Sequence, residues 1–164
     1  ANEFGLTKNQ KLAGLLVFIN DVHALSLNVT KGMQLTESFY WDLNEETRKF
    51  SRRYFERMKK MPNMLQAGAY SSTLHYLNAV KATGTDETAK VMAWMKANPI
   101  NDVFVKNGRI REDGRMMREM YLFEVKDPSE SKYPWDYYKL KAVVPAEQAF
   151  MPLSKSVCPL LKKS

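Results

Sequence analysis

The amino-acid sequence predicts an α/β fold in which helices and strands pack as layers. Three helical stretches occupy the middle of the chain, between about residues 42 and 98. Short segments of strand length lie before and after them. Strands, then helices, then further strands indicate layers packed around a hydrophobic core. The order contains no opening strand–helix–strand unit, so a fragment of a larger α/β protein is the simplest interpretation.

Two strands are predicted before the helices. Leu12 to Ile19 is a short apolar run of the kind that a fully buried parallel strand presents, and residues 1 to 10 before it resemble the tail of a helix. A weak helical turn, Val22 to Leu27, follows the first strand. Met33 to Trp41 is the second strand, and it ends in three aromatic residues.

The predicted helices have recognisable start and stop signals. Asp42 and Glu45 have the spacing of a capping box at the start of the first helix, which Pro62 ends. Asn63 caps the second helix, which runs to about Thr83. The second helix is apolar over most of its circumference, so we expect it to be buried.

A third helix and several strands complete the predicted order. The helix begins at Thr85 and stops before Pro99. The remaining strands are Val103–Val105 and Arg109–Arg111, joined by a tight turn at Asn107-Gly108, then Met120–Val125 and Trp135–Val144.

Composition excludes several classes of function. Hydrophobic residues make up 45% of the chain and charged residues 26%, the balance of a soluble globular protein. The formal net charge is +7, but basic residues alternate with acids, so we predict no nucleic-acid binding. No stretch approaches the roughly 20 apolar residues of a membrane helix, so we predict no direct membrane insertion. The terminal Lys162-Lys163-Ser164 is predicted to be a frayed, charged end.

Catalytic signatures are scarce. The chain has neither a glycine-rich phosphate loop nor a nucleophile elbow, and its two histidines, His23 and His75, lie in different elements. The single cysteine, Cys158, cannot form an internal disulfide or a metal site by itself; it is either a buried thiol or half of a bridge to another segment. We predict a protein that is not an enzyme, with no catalytic residue, no metal and no cofactor.

The strongest candidate for ligand binding follows the first predicted strand. In α/β sheets, the loops at the carboxyl ends of strands are where ligands bind. Asn20, Asp21 and His23 lie there and together offer hydrogen-bond donors and acceptors. A turn in which Asp21 caps the following helix is an equally good interpretation.

Two tyrosines are further candidates. Tyr40 points away from Phe39 and Trp41 by strand alternation, so it lines a cleft in this interpretation. Tyr70 follows Gly68 on the apolar helix, where a small residue permits close approach by a ligand or a strand. Close helix packing is the favoured role for the glycine itself.

Several stretches together carry a resemblance to a known family. They are Lys31 to Asp42, the helix with Phe50, Tyr54 and Met58, Gln66 to Tyr70, Ala82 to Asp86, and Asn107 to Arg115. Their order and spacing resemble the C-terminal part of periplasmic solute-binding proteins of ABC transporters, in the branched-chain amino acid (Leu/Ile/Val)-binding family with the type I periplasmic binding fold.

The resemblance implies a fold of two Rossmann-like lobes that close over a ligand by hinge motion. Residues 1–36 would form the end of the second lobe, and residues 37–127 the C-terminal part of the first lobe with the hinge crossing. Residues 128–164 would be the return crossing and a C-terminal segment on the second lobe. The chain would then cover less than half of a full protein whose signal peptide is removed.

The resemblance also implies binding without catalysis. The protein would capture a small organic acid or amino acid in the periplasm and deliver it to the membrane permease of an ABC transporter. Asn20 or Asp21 would orient the polar group of the ligand, His23 would add a donor, and Tyr40 and Tyr70 would offer hydroxyls or ring faces. The family's Pro-Glu-Gly pattern is missing from the sequence, which favours aromatic or other organic acids. The alternatives are a ligand-sensing domain of a receptor or regulator with the same fold, and a hydrolase that uses Asp21 with His23.

Overall fold

The computed structural model describes residues 1, 4–159 and 161, and these form two compact units. The first unit comprises Ala1–Met64 and Met120–Val143, and the second comprises Leu65–Glu119 and Val144–Ser164, each within the described residues. The predicted segments at residues 2–3 and 162–164 lie outside them. The lobe boundaries implied by the family resemblance stay a prediction.

The helices and strands alternate as a mixed α/β chain. The helices are α1 (Ile19–Leu25), α2 (Leu27–Thr30), α3 (Glu45–Met58), α4 (Met64–Thr83), α5 (Thr88–Ala97) and α6 (Ala146–Ala149). The strands are β1 (Ala13–Gly14), β2 (Gln34–Glu37), β3 (Arg109–Ile110), β4 (Met116–Met117), β5 (Met120–Val125) and β6 (Tyr138–Val144). Within the described residues, no helix is both long enough and apolar enough to cross a bilayer.

A four-stranded sheet in the order β1-β2-β5-β6 organises the first unit. β2 is parallel to β1 and antiparallel to β5, with Leu35 opposite Phe123. Both of these side chains are buried, as are Ile19 and Val22 of α1, so the core lies between this sheet and α1. The prediction of β5 over Met120–Val125 is confirmed to the residue.

The predicted strand over Leu12 to Ile19 is wrong. Only two of its residues pair with β2, and Leu15 and Leu16 are 90% and 79% exposed. The Asp21 carboxylate accepts a hydrogen bond of 2.8 Å from the backbone N–H of Phe18. This bond satisfies a free donor at the start of a helix, so α1 begins inside the apolar run. In the described part of residues 1–10, the predicted helical tail is only a 3-10 turn at Leu6–Lys8.

Helix α3 begins later than predicted, because Asn44 caps it instead of Asp42. Asn44 and Thr47 exchange two hydrogen bonds of 3.0 Å between side chain and backbone, which is the reciprocal arrangement of a capping box. Asp42 instead pairs with Arg48 at 2.9 Å. The helix ends at Met58, ahead of Pro62, because Lys59 adopts the left-handed conformation with φ of +55°.

Helix α4 has the predicted length, but the prediction that most of its circumference is buried is wrong. Leu65 and Leu77 are each 55% exposed. The residues that it buries form one narrow stripe at a spacing of four, and they are small or polar: Ala67, Ser71, His75 and Ala79. The buried face of α4 is therefore formed by small or polar side chains, and Leu65 and Leu77 lie at the surface.

The predicted hairpin at Asn107-Gly108 is also wrong. Gly108 forms an isolated antiparallel bridge with Ile100, and the true hairpin pairs β3 with β4. Its turn lies at Asp113-Gly114, where Gly114 has φ of +81°. Val103–Val105, predicted as a strand, forms a turn, because the Asp102 carboxylate accepts hydrogen bonds from the backbone N–H groups of Phe104 and Val105.

Candidate functional site

A strained turn in the first unit is the centre of the candidate site. Trp135 has φ of +69°, a conformation that bulky L residues rarely adopt. Its carbonyl accepts a hydrogen bond of 2.9 Å from the indole N–H of Trp41 and one of 3.3 Å from the hydroxyl of Tyr40. The Tyr40 oxygen in turn accepts a bond of 3.2 Å from the backbone N–H of Tyr137. We call residues 135–137 the Trp135 turn. Such strain often accompanies function.

The middle residue of the Trp135 turn is fixed by charge. Asp136 is 2% exposed and forms an ion pair with Lys126. Its second carboxylate oxygen accepts a hydrogen bond of 3.0 Å from the backbone N–H of Lys132. A buried carboxylate whose two oxygens both have partners resists movement, so we expect the backbone of the Trp135 turn to be rigid.

His23 meets this turn from helix α1. Its ring stacks on the indole of Trp135 with centroids 3.9 Å apart and planes within 10°. Its Nδ1 lies 2.8 Å from the hydroxyl of Tyr137. We call these three side chains the His23 surface. Trp135 is buried, at 5% exposed, so His23 and Tyr137 are the members that a ligand can reach. An imidazole and a phenol can contact an apolar ring and hydrogen-bond a polar group of the same ligand.

Asn20 and Asp21 lie on the first turn of α1, and the structure gives both a role in holding the helix. The Asn20 amide donates a hydrogen bond of 3.0 Å to the carbonyl of Met61 and accepts one of 2.9 Å from the amide of Asn63. Asp21 accepts the capping bond from Phe18. Residues two apart on a helix do not face each other, and His23 turns to Tyr137, so Asp21 does not orient the imidazole.

Tyr40 is a buried support of the Trp135 turn. It is 6% exposed, and its ring lies 5.0 Å from that of Tyr138 and 5.5 Å from that of Phe123. Burial raises the pKa of Tyr40 above its ordinary value. Phe39 and Trp41 are buried as well. Strand β2 ends at Glu37, so strand alternation does not place Tyr40 on the opposite face from these two residues.

Tyr70 lies on α4 in the second unit, and the other predicted contacts lie in the first. It is 40% exposed. The structure thus brings His23 and Tyr40 to one turn, places Asn20 and Asp21 on the helix that carries His23, and leaves Tyr70 in a different unit.

Sequence reasoning missed the partners of His23. Trp135 and Tyr137 were assigned to a strand, but β6 begins only at Tyr138. The available signal was the run Trp135-Asp136-Tyr137-Tyr138 directly after a proline, which is unusually aromatic for a solvent-exposed start of a strand. No stretch of sequence near His23 indicates that its ring meets a residue more than a hundred positions later.

Glu37 is a buried titratable group that sequence reasoning missed. Its side chain is fully buried, and its carboxylate accepts bonds of 2.9 Å from the Tyr138 hydroxyl and 3.2 Å from the backbone N–H of Met64. A further backbone bond comes from Ile19 at the start of α1. Burial raises the pKa of Glu37 to about 7. In the described residues no group of three or more His, Cys, Asp or Glu is arranged to hold a metal ion.

Comparison with known proteins agrees with this fold. Residues 1–132 match the model of a family described as periplasmic binding protein. A periplasmic binding protein from Burkholderia mallei is 54% identical over 99% of this chain and 43% of its own, with a TM-score of 0.92. A branched-chain amino acid ABC transporter periplasmic ligand-binding protein from Burkholderia xenovorans LB400 is 42% identical over 98% of this chain and 43% of its own, with a TM-score of 0.90.

A more distant structure shares the fold alone. It is the solute-binding protein of an ABC transporter from Rhodopseudomonas palustris BisB5 in complex with 3,4-dihydroxybenzoic acid, 18% identical over 88% of this chain and 40% of its own, with a TM-score of 0.73. A search among curated proteins found no match.

The comparisons confirm the predicted fold class, an α/β chain that is part of the two-lobed type I periplasmic binding fold. The chain spans 43% of the length of the two Burkholderia proteins. The match to the family model covers 132 residues, well over half of the chain, and it includes α1, β2 and β5. The chain belongs to the periplasmic binding protein family.

Proposed function

We propose that this chain is part of the extracytoplasmic solute-binding component of an ABC transporter. The component captures a small organic acid or amino acid in the periplasm and delivers it to a membrane permease. Membership of the family supports this proposal, as does the name of the Burkholderia xenovorans relative, a periplasmic ligand-binding protein of an ABC transporter.

The observation that carries the proposal is the His23 surface on its rigid base. The Tyr137 hydroxyl and the imidazole of His23 lie 2.8 Å apart and can both reach one ligand group. A carboxylate is the group that such donors bind most strongly, because hydrogen bonds to charged acceptors are stronger than neutral ones. The ring faces of His23 and Tyr137 suit an aromatic or branched body. We therefore expect an organic acid with an apolar body.

The other predicted residues have supporting roles in this proposal. Asn20 fixes the start of α1 through its two amide bonds, and Tyr40 holds the Trp135 turn from the buried side. Asp21 is exposed beside them and would contact an amino group if the ligand is an amino acid. The ligand contact at Tyr70 stays a prediction.

The proposed mechanism is binding without a chemical step. The ligand binds the closed form of the protein better than the open form, and this difference in affinity shifts the population towards closure. No bond of the ligand is made or broken, so we expect release of the ligand unchanged.

Calorimetry and thermal unfolding of the complete solute-binding component, of which this chain is a part, test this proposal directly. The panel is leucine, benzoate and 3,4-dihydroxybenzoate, with acetate as a carboxylate that lacks an apolar body. We expect at least one of the larger compounds to raise Tm by several degrees and to be recovered chemically intact. If no compound of the panel shifts Tm or gives binding heat, the proposal is wrong.

A pair of variants tests the role of the His23 surface. Tyr137→Phe removes one hydroxyl and keeps the ring, and we expect it to weaken binding about tenfold, the effect of one hydrogen bond to a charged group. Tyr76→Phe is the matched control, since Tyr76 is exposed on α4 in the second unit. Equal affinities for the Tyr137→Phe variant, the control and the parent would exclude the His23 surface as the ligand site.

A further inference from the structure

The second unit contains a cavity with an excess of positive charge. Its volume is about 510 Å³, within the range of small-molecule sites. Arg111, Arg115 and Arg118 line it together with Asp113, and Met116 and Met151 contribute apolar walls. The cavity is not part of the His23 surface, because all of its lining residues belong to the second unit.

Arg118 is an unusual cation in this cavity. Its guanidinium carbon lies 5.2 Å from the ring centroid of Phe104 and 5.6 Å from that of Phe150. Its Nε is buried without a hydrogen-bond partner among the described residues. The neighbouring Nη1 donates only to the carbonyl and sulfur of Met116, at 3.4 and 3.8 Å. A buried donor without a partner is costly, which points to an acceptor that completes it.

Arg115 adds a second charge at the same ring. Its guanidinium carbon lies 5.5 Å from the ring centroid of Phe150, so two cations share one aromatic side chain. Burial and the charge of Arg115 together lower the pKa of Arg118 below its ordinary value. Two like charges that are close together favour a bound anion.

The third arginine is already neutralised. Arg111 makes a two-pronged contact with Asp113, at 2.9 and 2.7 Å, and this contact holds the pKa of the Asp113 carboxyl well below its usual range. Among the described residues, no ion pair links Arg115 or Arg118 to an acid within 4.0 Å. Asp113 therefore does not compensate these two charges.

We propose that this cavity binds a small organic carboxylate, with Arg118 as the principal contact and Arg115 as the second. A carboxylate fits the planar edge of a guanidinium and would give the Nε of Arg118 its missing acceptor. Met116, Met151 and Val157 line the cavity and would contact the apolar body of the ligand. The site goes beyond the proposed function, because it does not depend on the His23 surface.

Calorimetry with four probes tests the chemistry of the site in the Tyr137→Phe background, which weakens the His23 surface. The probes are benzoate, its neutral analogue benzamide, acetate and inorganic phosphate. We expect benzoate to bind at least tenfold more tightly than benzamide and acetate, since only benzoate has both the charge and the apolar body. Tighter binding of phosphate than of benzoate would overturn the assignment to a carboxylate.

Variants of the two arginines test the location. Arg118→Lys keeps the charge and loses the planar fork, and we expect at least a tenfold loss of benzoate affinity. Arg115→Gln alters an exposed side chain, and we expect about a fivefold loss. The control is Arg109→Gln, an exposed residue paired with Glu147 outside the cavity. Benzoate affinity that is unchanged in both Arg115→Gln and Arg118→Lys would overturn the proposal.

Discussion

The hydroxyl of Tyr138 donates a hydrogen bond of 2.9 Å to the carboxylate of Glu37, and both side chains are buried. Through this acid, β2 and β6 are joined to the first backbone N–H of α4 at Met64. The start of α1 contributes a further bond. A single titratable group thus connects the sheet of the first unit with the helix that carries His23.

The first prediction concerns pH and stability. The pKa of Glu37 is about 7 in the folded protein against an ordinary value of 4.5. Between these values the folded state holds a proton that the unfolded state has lost, so the free energy of unfolding falls as pH rises from about 4.5 to 7 and levels off above. The fall attributable to Glu37 is of order 3 kcal/mol.

Glu37→Gln isolates this effect, because glutamine is isosteric and does not titrate. In urea unfolding at pH 5, 6, 7 and 8, we expect the difference in stability between parent and variant to shift in favour of the variant as pH rises. Glu112→Gln, an exposed change in the second unit, should leave the parent profile as it is. A difference between Glu37→Gln and parent that is constant with pH would show that the carboxylate does not titrate in this window.

A double-mutant cycle tests the support of the Trp135 carbonyl. Tyr40→Phe and Trp41→Phe each remove one of its two side-chain donors, and each should cost about 1 kcal/mol of unfolding free energy. The double variant leaves the buried carbonyl with a single bond of 2.9 Å from the backbone N–H of Tyr137, so its cost should exceed the sum of the single costs by about 0.5 kcal/mol, on the order of a typical coupling energy. Strict additivity in urea unfolding would mean that water replaces the lost donors.

Two lysines provide a matched comparison of ion pairs. Lys126→Met removes the partner of buried Asp136 and should cost about 3 to 5 kcal/mol, because it leaves an uncompensated charge in the interior. Lys31→Met breaks the pair with Asp127, in which both side chains are about half exposed, and should cost less than about 1 kcal/mol. Equal losses in denaturant unfolding would contradict the burial of the Asp136 pair.

Two glycines in the second unit should respond in opposite directions to alanine. A Cβ at Gly68 would lie 3.5 Å from the ring of Phe104, an ordinary contact, so Gly68→Ala should stabilise α4 by about 0.5 to 1 kcal/mol. A Cβ at Gly108 would lie 2.8 and 2.9 Å from the methyl groups of Val105, so Gly108→Ala should cost about 1 to 3 kcal/mol. Thermal unfolding of both variants measures the contrast; Tm values that fall together would contradict it.

The parts of the fold that sequence predicted best are those with strong local signals. Strand β5 alternates along its length, and α4 and α5 end at Gly84 and before Pro99, so their ends follow from local chemistry. Leu12 to Ile19 failed because apolar content alone does not distinguish a strand from the capped start of a helix. The hairpin at Asn107-Gly108 was wrong because the segment before it forms a turn, in which the Asp102 carboxylate accepts hydrogen bonds from the backbone N–H groups of Phe104 and Val105.

The sequence predicted the residues of the candidate site on α1 but not those of the Trp135 turn. His23 and its neighbours on α1 were identified from polar residues that follow an apolar run, although the run was not a strand. Trp135 and Tyr137 could not be paired with His23, because nothing local to either segment encodes a contact across more than a hundred residues. Glu37 was overlooked because an isolated acid in a strand is most often exposed, and only its partners Tyr138 and Met64 reveal otherwise.

The hydrogen bonds and the ion pair that hold the Trp135 turn have a consequence for protein engineering. Trp41 and Tyr40 hold the carbonyl of residue 135, and Lys126 holds the carboxylate of Asp136, so none of these anchors depends on the indole. The indole itself is buried, at 5% exposed, and stacks on His23, so position 135 should keep an aromatic side chain. Tyr137 is only half-buried, and the carbonyl of Trp135 and the N–H of Lys126 bind its backbone N–H and carbonyl. Position 137 can therefore be diversified in a library while the main chain keeps its path, which makes it the place to change the ligand preference of a biosensor built on this protein.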